Sequence, residues 1–152
     1  MVNRYTLEKI EQKFKEYRDI KLSDTSDDEY NFFCDAIHTL PMDIVDRIHR
    51  EVLFTVLGSQ KDKTNIARFL WNDDEDIRKK KAIIVLTPII LGFGIDVKEH
   101  IESLKRSILH EIAHYILEHK EYKDIENCKQ KDLEADELAD RWIKEFIDES
   151  LS

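Results

Sequence analysis

The chain has 152 residues, of which 41% are hydrophobic, and this suits one compact domain spanning residues 1–152. Its net charge of -9 and the lack of a basic stripe in the sequence argue against nucleic acid as a partner, because phosphate binding needs a cationic surface. No apolar run is long enough to span a bilayer, and the first residues have no apolar signal-peptide region. The sequence therefore predicts a cytoplasmic protein without a membrane partner.

The first third of the chain is predicted to be helical. Apolar side chains recur at helical spacing over residues 5–20, which predicts an amphipathic helix. An acidic linker at 23–29 precedes a second predicted helix at 29–40. A third helix is expected at 41–51, where Pro41 suits the first turn.

Three predicted strands follow. The segments at 52–57, 66–71 and 82–91 are rich in β-branched and aromatic residues, although Gly58 leaves open a longer helix in place of the first strand. The third segment, AIIVLTPIIL, contains Pro88, whose missing N–H is tolerated mainly at a sheet edge or a bulge. We therefore expect this strand at the edge of the sheet, where an extended peptide substrate could pair with it.

The predicted helix at 97–119 carries the main chemical motif, an HExxH sequence formed by His110, Glu111 and His114. At helical spacing the two histidines lie one turn apart on one face, so both imidazoles can bind one zinc ion. Apolar residues occupy nearly every side of this helix, which predicts a buried position where imidazoles need a ligand or a partner. The alternative is a solvated HExxH helix without a metal.

A third protein ligand must come from another part of the chain. The metzincin arrangement requires glycine at position 117 and histidine at position 120, but the chain has Leu117 and Lys120. That class is excluded. His119 is one position away, and we expect it to be an ordinary polar residue near the helix end.

The final predicted helix, KDLEADELADRWIKEFIDE, offers acidic candidates. At about 100° per residue, its inward face is shared by Asp132, Asp136 and two alanines, Ala135 and Ala139. Asp132 is therefore the preferred third ligand, and Asp136 should accept a hydrogen bond from a ligating imidazole. Two alternatives stay open: Asp132 is a helix N-terminal acid favoured by the dipole, or Glu134 is the ligand if the first turn is irregular.

HEIAHYILEH followed by DLEADELADRW resembles the gluzincin metallopeptidases, particularly the small ImmA/IrrE-like and minigluzincin-like proteins. The resemblance implies an α+β, zincin-like fold with N-terminal helices, a small mixed sheet, a buried HExxH helix and a C-terminal ligand-bearing helix. It also implies Zn²⁺ bound by His110, His114 and Asp132, a catalytic base at Glu111 and a supporting carboxylate at Asp136. The family has glutamate where this chain has Asp132, so the shorter side chain requires the two helices to approach more closely.

These features predict a zinc-dependent endopeptidase acting on a protein or peptide substrate. Glu111 would be the general base that takes a proton from a metal-activated water and passes it to the leaving amine. Glu118 is expected to be an exposed acid, and the candidates for stabilising the oxyanion are Tyr115, Tyr122, His119 and Arg141.

Two other functions remain. A zincin scaffold without turnover could bind a protein partner as a regulatory module, although the intact Glu111 argues against it. A closed structural zinc site is disfavoured because such sites usually carry cysteines, and neither Cys34 nor Cys128 is near the motif in the sequence. Their wide separation also predicts no disulfide framework, as expected in a reducing cytoplasm.

Overall fold

The computed structural model describes residues 2–15, 27–56, 67–71, 80–86, 97–119 and 124–151. The described residues form an α+β protein, as the sequence predicted. In chain order the elements are α1 (Leu7–Lys13), α2 (Asp27–His38), α3 (Met42–Glu51), β1 (Val52–Val56), β2 (Ala67–Trp71), β3 (Ala82–Leu86), α4 (Val97–Ile116) and α5 (Ile125–Ser150).

The N-terminal helices follow the predicted pattern. Helix α1 begins after Thr6, whose side-chain oxygen accepts a hydrogen bond from the backbone N–H of Lys9 at 3.2 Å and so satisfies one free donor of the first turn. Its apolar positions Ile10 and Phe14 are fully buried, and α1 packs on α2. The predicted end of this helix and most of the acidic linker, at 16–26, lie outside the described residues.

The sheet is mixed and has the strand order β1-β3-β2. Strand β1 is parallel to β3, with Val52 opposite Ala82, and β2 is antiparallel to β3, with Ala67 opposite Leu86. The segment after α3 is thus a strand and not the continuation of a helix. The predicted turn segments at 58–65 and 92–94 lie outside the described residues.

The predicted edge position of the third strand is wrong. Strand β3 is central and pairs with β1 on one side and β2 on the other. Residues 82–86 contain no proline, so each keeps its N–H and can join a ladder. Pro88, on which the prediction rested, lies outside the described residues. A peptide cannot pair along β3, because both of its edges are occupied.

A single hydrophobic core lies between the sheet and the helices. Phe14, Phe33 and Phe54 pack edge to face, with ring centroids 5.1–6.1 Å apart. Helix α4 packs on β2 and β3, and α5 packs on α4. Four of the described side chains of α4 are fully buried: Ile108, Leu109, Ile112 and Ala113. Burial of each isoleucine or leucine among them stabilises the fold by about 1.5–3 kcal/mol. The HExxH helix is therefore central, as its composition predicted.

Helix α5 begins earlier than the sequence predicted. Asp124 is its N-cap and accepts a hydrogen bond from the backbone N–H of Asn127 at 2.7 Å. Ala135 and Ala139 are fully buried where α5 packs on α4, and their small side chains let the two helices approach closely. No helix in the described part of the chain is long and apolar enough to cross a membrane.

Candidate metal centre

The two histidines of the HExxH motif lie side by side on α4. Their ring centroids are 4.5 Å apart, their planes are nearly perpendicular, and the two Nε2 atoms are 3.0 Å apart. His114 is 3% exposed, whereas His110 is partly exposed. The one-turn spacing therefore directs two ring nitrogens at one point, one of them from the protein interior.

Asp132 supplies an oxygen at the same point. Its Oδ1 lies 3.0 Å from His114 Nε2 and 3.6 Å from His110 Nε2. Ligand atoms about 2.0–2.1 Å from a tetrahedral zinc ion lie about 3.3 Å from one another, so these distances fit a shared ion. Two imidazole nitrogens and one carboxylate oxygen also form a donor set that zinc accepts, with a fourth position left for water or substrate.

The structure distinguishes between the two acids left open by the sequence. Asp132 faces the histidine pair, as the helical phase predicted, whereas Glu134 Oε2 lies 3.2 Å from His119 Nε2. The explanation of Asp132 as an N-terminal acid is wrong, because α5 begins at Ile125 and the dipole acts mainly within the first turn. That Asp132 binds a metal stays a prediction.

Asp136 fixes the orientation of the first histidine. His110 Nδ1 lies 2.8 Å from Asp136 Oδ1, and since a carboxylate only accepts, the Nδ1–H donates and Nε2 keeps its lone pair for the cluster. Arg106, one turn before His110, binds both oxygens of Asp140 at 2.7 and 3.2 Å and lies 3.6 Å from Asp136. The Arg106 guanidinium therefore links α4 to Asp136 and Asp140 of α5. The signal for Arg106 in the sequence is its spacing, which places it one helical turn before His110.

His119 is not the ordinary polar residue that the sequence predicted. It is 6% exposed, and its Nδ1 lies 2.8 Å from His114 Nδ1. Helix α4 ends at Ile116 in a Schellman turn: the N–H of Glu118 donates to Tyr115 O at 3.0 Å, and the N–H of His119 donates to His114 O at 3.1 Å. Glu118 takes the left-handed conformation, with φ 57°, and is exposed as expected. This turn folds His119 back onto the cluster.

Burial sets the protonation of the second histidine. Desolvation, followed by the nearby His110 and His119, lowers the pKa of His114 to about 4, against an opposing effect of Asp132. The imidazole is therefore neutral near pH 7. A neutral imidazole is the form that binds a metal.

Glu111 is on α4 beside His110, and its side chain is partly exposed. The next two residues, Ile112 and Ala113, are fully buried. Glu111 is therefore a partly exposed acid that directly follows a histidine of the cluster in α4.

The candidate oxyanion donors among the described residues have different surroundings. Tyr115 is buried, and its hydroxyl donates a short hydrogen bond to Glu51, while the Arg47 guanidinium lies 5.2 Å from its ring centroid. Burial and the hydrogen bond to Glu51 raise the pKa of Tyr115 to about 12. Arg141 is exposed on α5, and Tyr122 lies outside the described residues. His119 is near the cluster but is engaged by His114 and Glu134.

Cys128 is close to the cluster in space, contrary to the expectation that neither cysteine lies near the motif. Its Sγ is 3.9 Å from Asp132 Oδ2, because Cys128 precedes Asp132 by one turn of α5. The thiol is a weak donor to the carboxylate. Cys34 is buried in α2.

No protein-family model, curated protein or solved structure matches this chain. What the cluster can do therefore follows from its own donor atoms and their surroundings. Two imidazole nitrogens and a carboxylate oxygen converge, one imidazole is held by Asp136, and Glu111 is the residue after His110 in the same helix.

Proposed function

We propose that this chain is a zinc-dependent endopeptidase with a zincin-like fold that acts on protein or peptide substrates in the cytoplasm. The observation that supports this most strongly is the convergence of His110 Nε2, His114 Nε2 and Asp132 Oδ1, which lie 3.0–3.6 Å from one another. The cytoplasmic location is supported by the composition, since the chain has two cysteines that are far apart in the sequence and form no CxxC pattern.

The proposed ligands would be held in place by groups that the fold already supplies. His110 is oriented by Asp136, and Asp132 is brought within reach by the close packing of α5 on α4. A zinc ion bound by these three residues would polarise a peptide carbonyl and lower the pKa of a coordinated water to about 7.

Glu111 would act as the general base. Its ionised carboxylate accepts a proton from the attacking water and then donates that proton to the nitrogen of the leaving amine. Glu111 is suited to this because it directly follows His110 in α4 and is partly exposed.

A peptide substrate would pair with β2 and not with β3. Strand β2 is an outer strand, bonded to β3 on one side among the described residues, and it packs against α4, which carries the motif. An extended peptide can add to such an edge through main-chain hydrogen bonds. The outer edge that β2 has among the described strands thus replaces the edge of β3 that the sequence indicated.

Replacing Glu111 with glutamine tests the proposal. Glu111→Gln keeps the size of the side chain but removes the base, so we expect cleavage of a mixed peptide library to fall at least about 100-fold. Bound zinc, measured by elemental analysis, should be unchanged because no ligand is altered. The matched control is Glu137→Gln, at an exposed position of α5, and it should leave both quantities unchanged.

One result would count against Glu111 as the base, and another would count against the enzyme. Undiminished turnover by Glu111→Gln would show that another group is the base. Zinc binding without turnover by the wild-type protein would favour the non-catalytic scaffold that binds a protein partner.

A further inference from the structure

We propose that His119 and Glu134 form a positioning pair that orients the His114 imidazole and directs its Nε2 lone pair at the metal. The inference deepens the proposed function and rests on its metal site. It concerns a residue pair outside the HExxH motif and outside the three convergent donors.

The contacts form a continuous chain that leads away from the metal position. His114 Nδ1 lies 2.8 Å from His119 Nδ1, and His119 Nε2 lies 3.2 Å from Glu134 Oε2. Both imidazoles are buried, at 3% and 6% exposure, whereas the Glu134 side chain is 42% exposed. The chain therefore begins in the interior and ends on a carboxylate at the surface.

The hydrogen-bond chemistry determines where each proton lies. A metal ligand needs an unprotonated Nε2, so a neutral His114 carries its proton on Nδ1 and donates it. His119 Nδ1 must then accept, which places the proton of a neutral His119 on Nε2. That proton points at Glu134, which only accepts. Each donor in the chain thus has one acceptor.

The arrangement gives each metal-facing histidine its own carboxylate. His110 donates directly to Asp136, and His114 donates to Glu134 through His119. A carboxylate behind a ligating imidazole fixes its orientation and raises its basicity. This explains why α5 carries acids at three alternate positions, 132, 134 and 136: the first faces the histidine pair, and the other two support one histidine each.

The end of helix α4 holds His119 in this position. The Schellman turn fixes its backbone through the bond from His119 N–H to His114 O at 3.1 Å, so the two residues are tied through both main chain and side chain. The turn therefore places His119 beside His114 through contacts within residues 114–119.

The test compares zinc affinity among variants of the full chain, measured by competition with a chromophoric chelator. His119→Leu removes the acceptor and should weaken zinc binding about 10- to 100-fold. His119→Asn restores an acceptor oxygen near the position of Nδ1 and should recover most of that loss. Glu134→Gln removes only the charge, so its zinc affinity should lie between those of the two His119 variants. Glu137→Gln, at an exposed position, is the control and should bind zinc as the wild type does.

A second measurement is independent of activity and of overall stability. Nitrogen NMR of the zinc-loaded protein should show His119 neutral, with its proton on Nε2. A doubly protonated His119, or one protonated on Nδ1, would overturn the proposal, as would His119→Asn binding zinc as weakly as His119→Leu. Equal affinities throughout would overturn it while leaving the endopeptidase proposal intact, and wild-type protein that binds no zinc would overturn both.

Discussion

At the scale of single residues, the contact between Asp132 and the histidine pair depends on how closely α5 packs on α4. Aspartate is one methylene shorter than glutamate, so Asp132 reaches the histidine pair only if α5 lies close to α4. The fully buried Ala135 and Ala139 allow that approach, and the resulting distance from Asp132 Oδ1 to His114 Nε2 is 3.0 Å. Glu134, two residues away, reaches His119 instead.

This geometry predicts a ranking of metal affinities. Asp132→Ala removes a direct ligand and should weaken zinc binding more than about 100-fold, which exceeds the effect expected for an outer residue such as Glu134. Glu137→Ala, at an exposed position of the same helix, should have no effect. Affinities that are equal for the Asp132 and Glu137 variants would mean that the metal is bound elsewhere.

The buried hydroxyl of Tyr115 predicts a stability change at high pH. Its pKa is raised to about 12, so the folded state keeps the phenol proton that the unfolded chain loses above about pH 10. The resulting stability is fully present below pH 10 and is lost as the pH rises toward 12. Between about pH 9 and 11 the wild type should lose about 1 kcal/mol of unfolding free energy more than Tyr115→Phe, measured by urea denaturation. An equal loss of unfolding free energy in the two proteins would show that burial and Glu51 do not raise the pKa of Tyr115.

At the scale of elements, the end of α4 decides where His119 lies. The left-handed residue after a helix is usually glycine, because a β-carbon is crowded in that conformation. Here Glu118 takes it, with φ 57°. The helix therefore ends at Ile116 although Glu118 is not a residue that favours the left-handed conformation. The turn brings His119 into contact with His114.

Glu118→Gly should stabilise the protein by about 1 kcal/mol, because it relieves the left-handed conformation. Glu137→Gly is the matched control: the same change within an exposed stretch of α5 should destabilise by about 1 kcal/mol. In urea denaturation of the metal-free proteins, the midpoint should rise for Glu118→Gly and fall for Glu137→Gly. Destabilisation by Glu118→Gly similar to that of the control would show that the turn is not strained.

What the sequence could predict depended on local geometry. The one-turn spacing of His110 and His114 and the inward phase of Asp132 follow from helical periodicity, and the structure agrees with both. The central position of β3 could not be predicted, because it depends on pairing between distant strands. His119 was missed because nothing in the sequence marks Glu118 as left-handed. Cys128 was missed because α5 begins at Ile125 and not at Lys131, where it was expected to begin.

At the scale of the whole molecule, a metal ion would join the two helices that end the described chain. His110 and His114 are on α4 and Asp132 is on α5, so one ion would cross-link elements that are separate in sequence. A ligand that binds only the folded state stabilises it by mass action, by about 2.7 kcal/mol at 100 times its dissociation constant. Metal binding should therefore raise the free energy of unfolding, in addition to giving bound metal that elemental analysis detects.

The most direct measurement is a metal titration of the metal-free protein that follows stoichiometry and the urea midpoint together. We predict that the wild-type protein binds about one zinc ion per chain. Its free energy of unfolding should rise by about 2.7 kcal/mol at a free zinc concentration of 100 times the dissociation constant. The His110→Ala/His114→Ala variant should neither bind zinc nor be stabilised by it. Elemental analysis for zinc, iron and manganese identifies the ion retained by protein purified without chelator. Metal-free protein whose stability is unchanged by added zinc, or a double variant that is stabilised equally, would contradict the proposed metal centre.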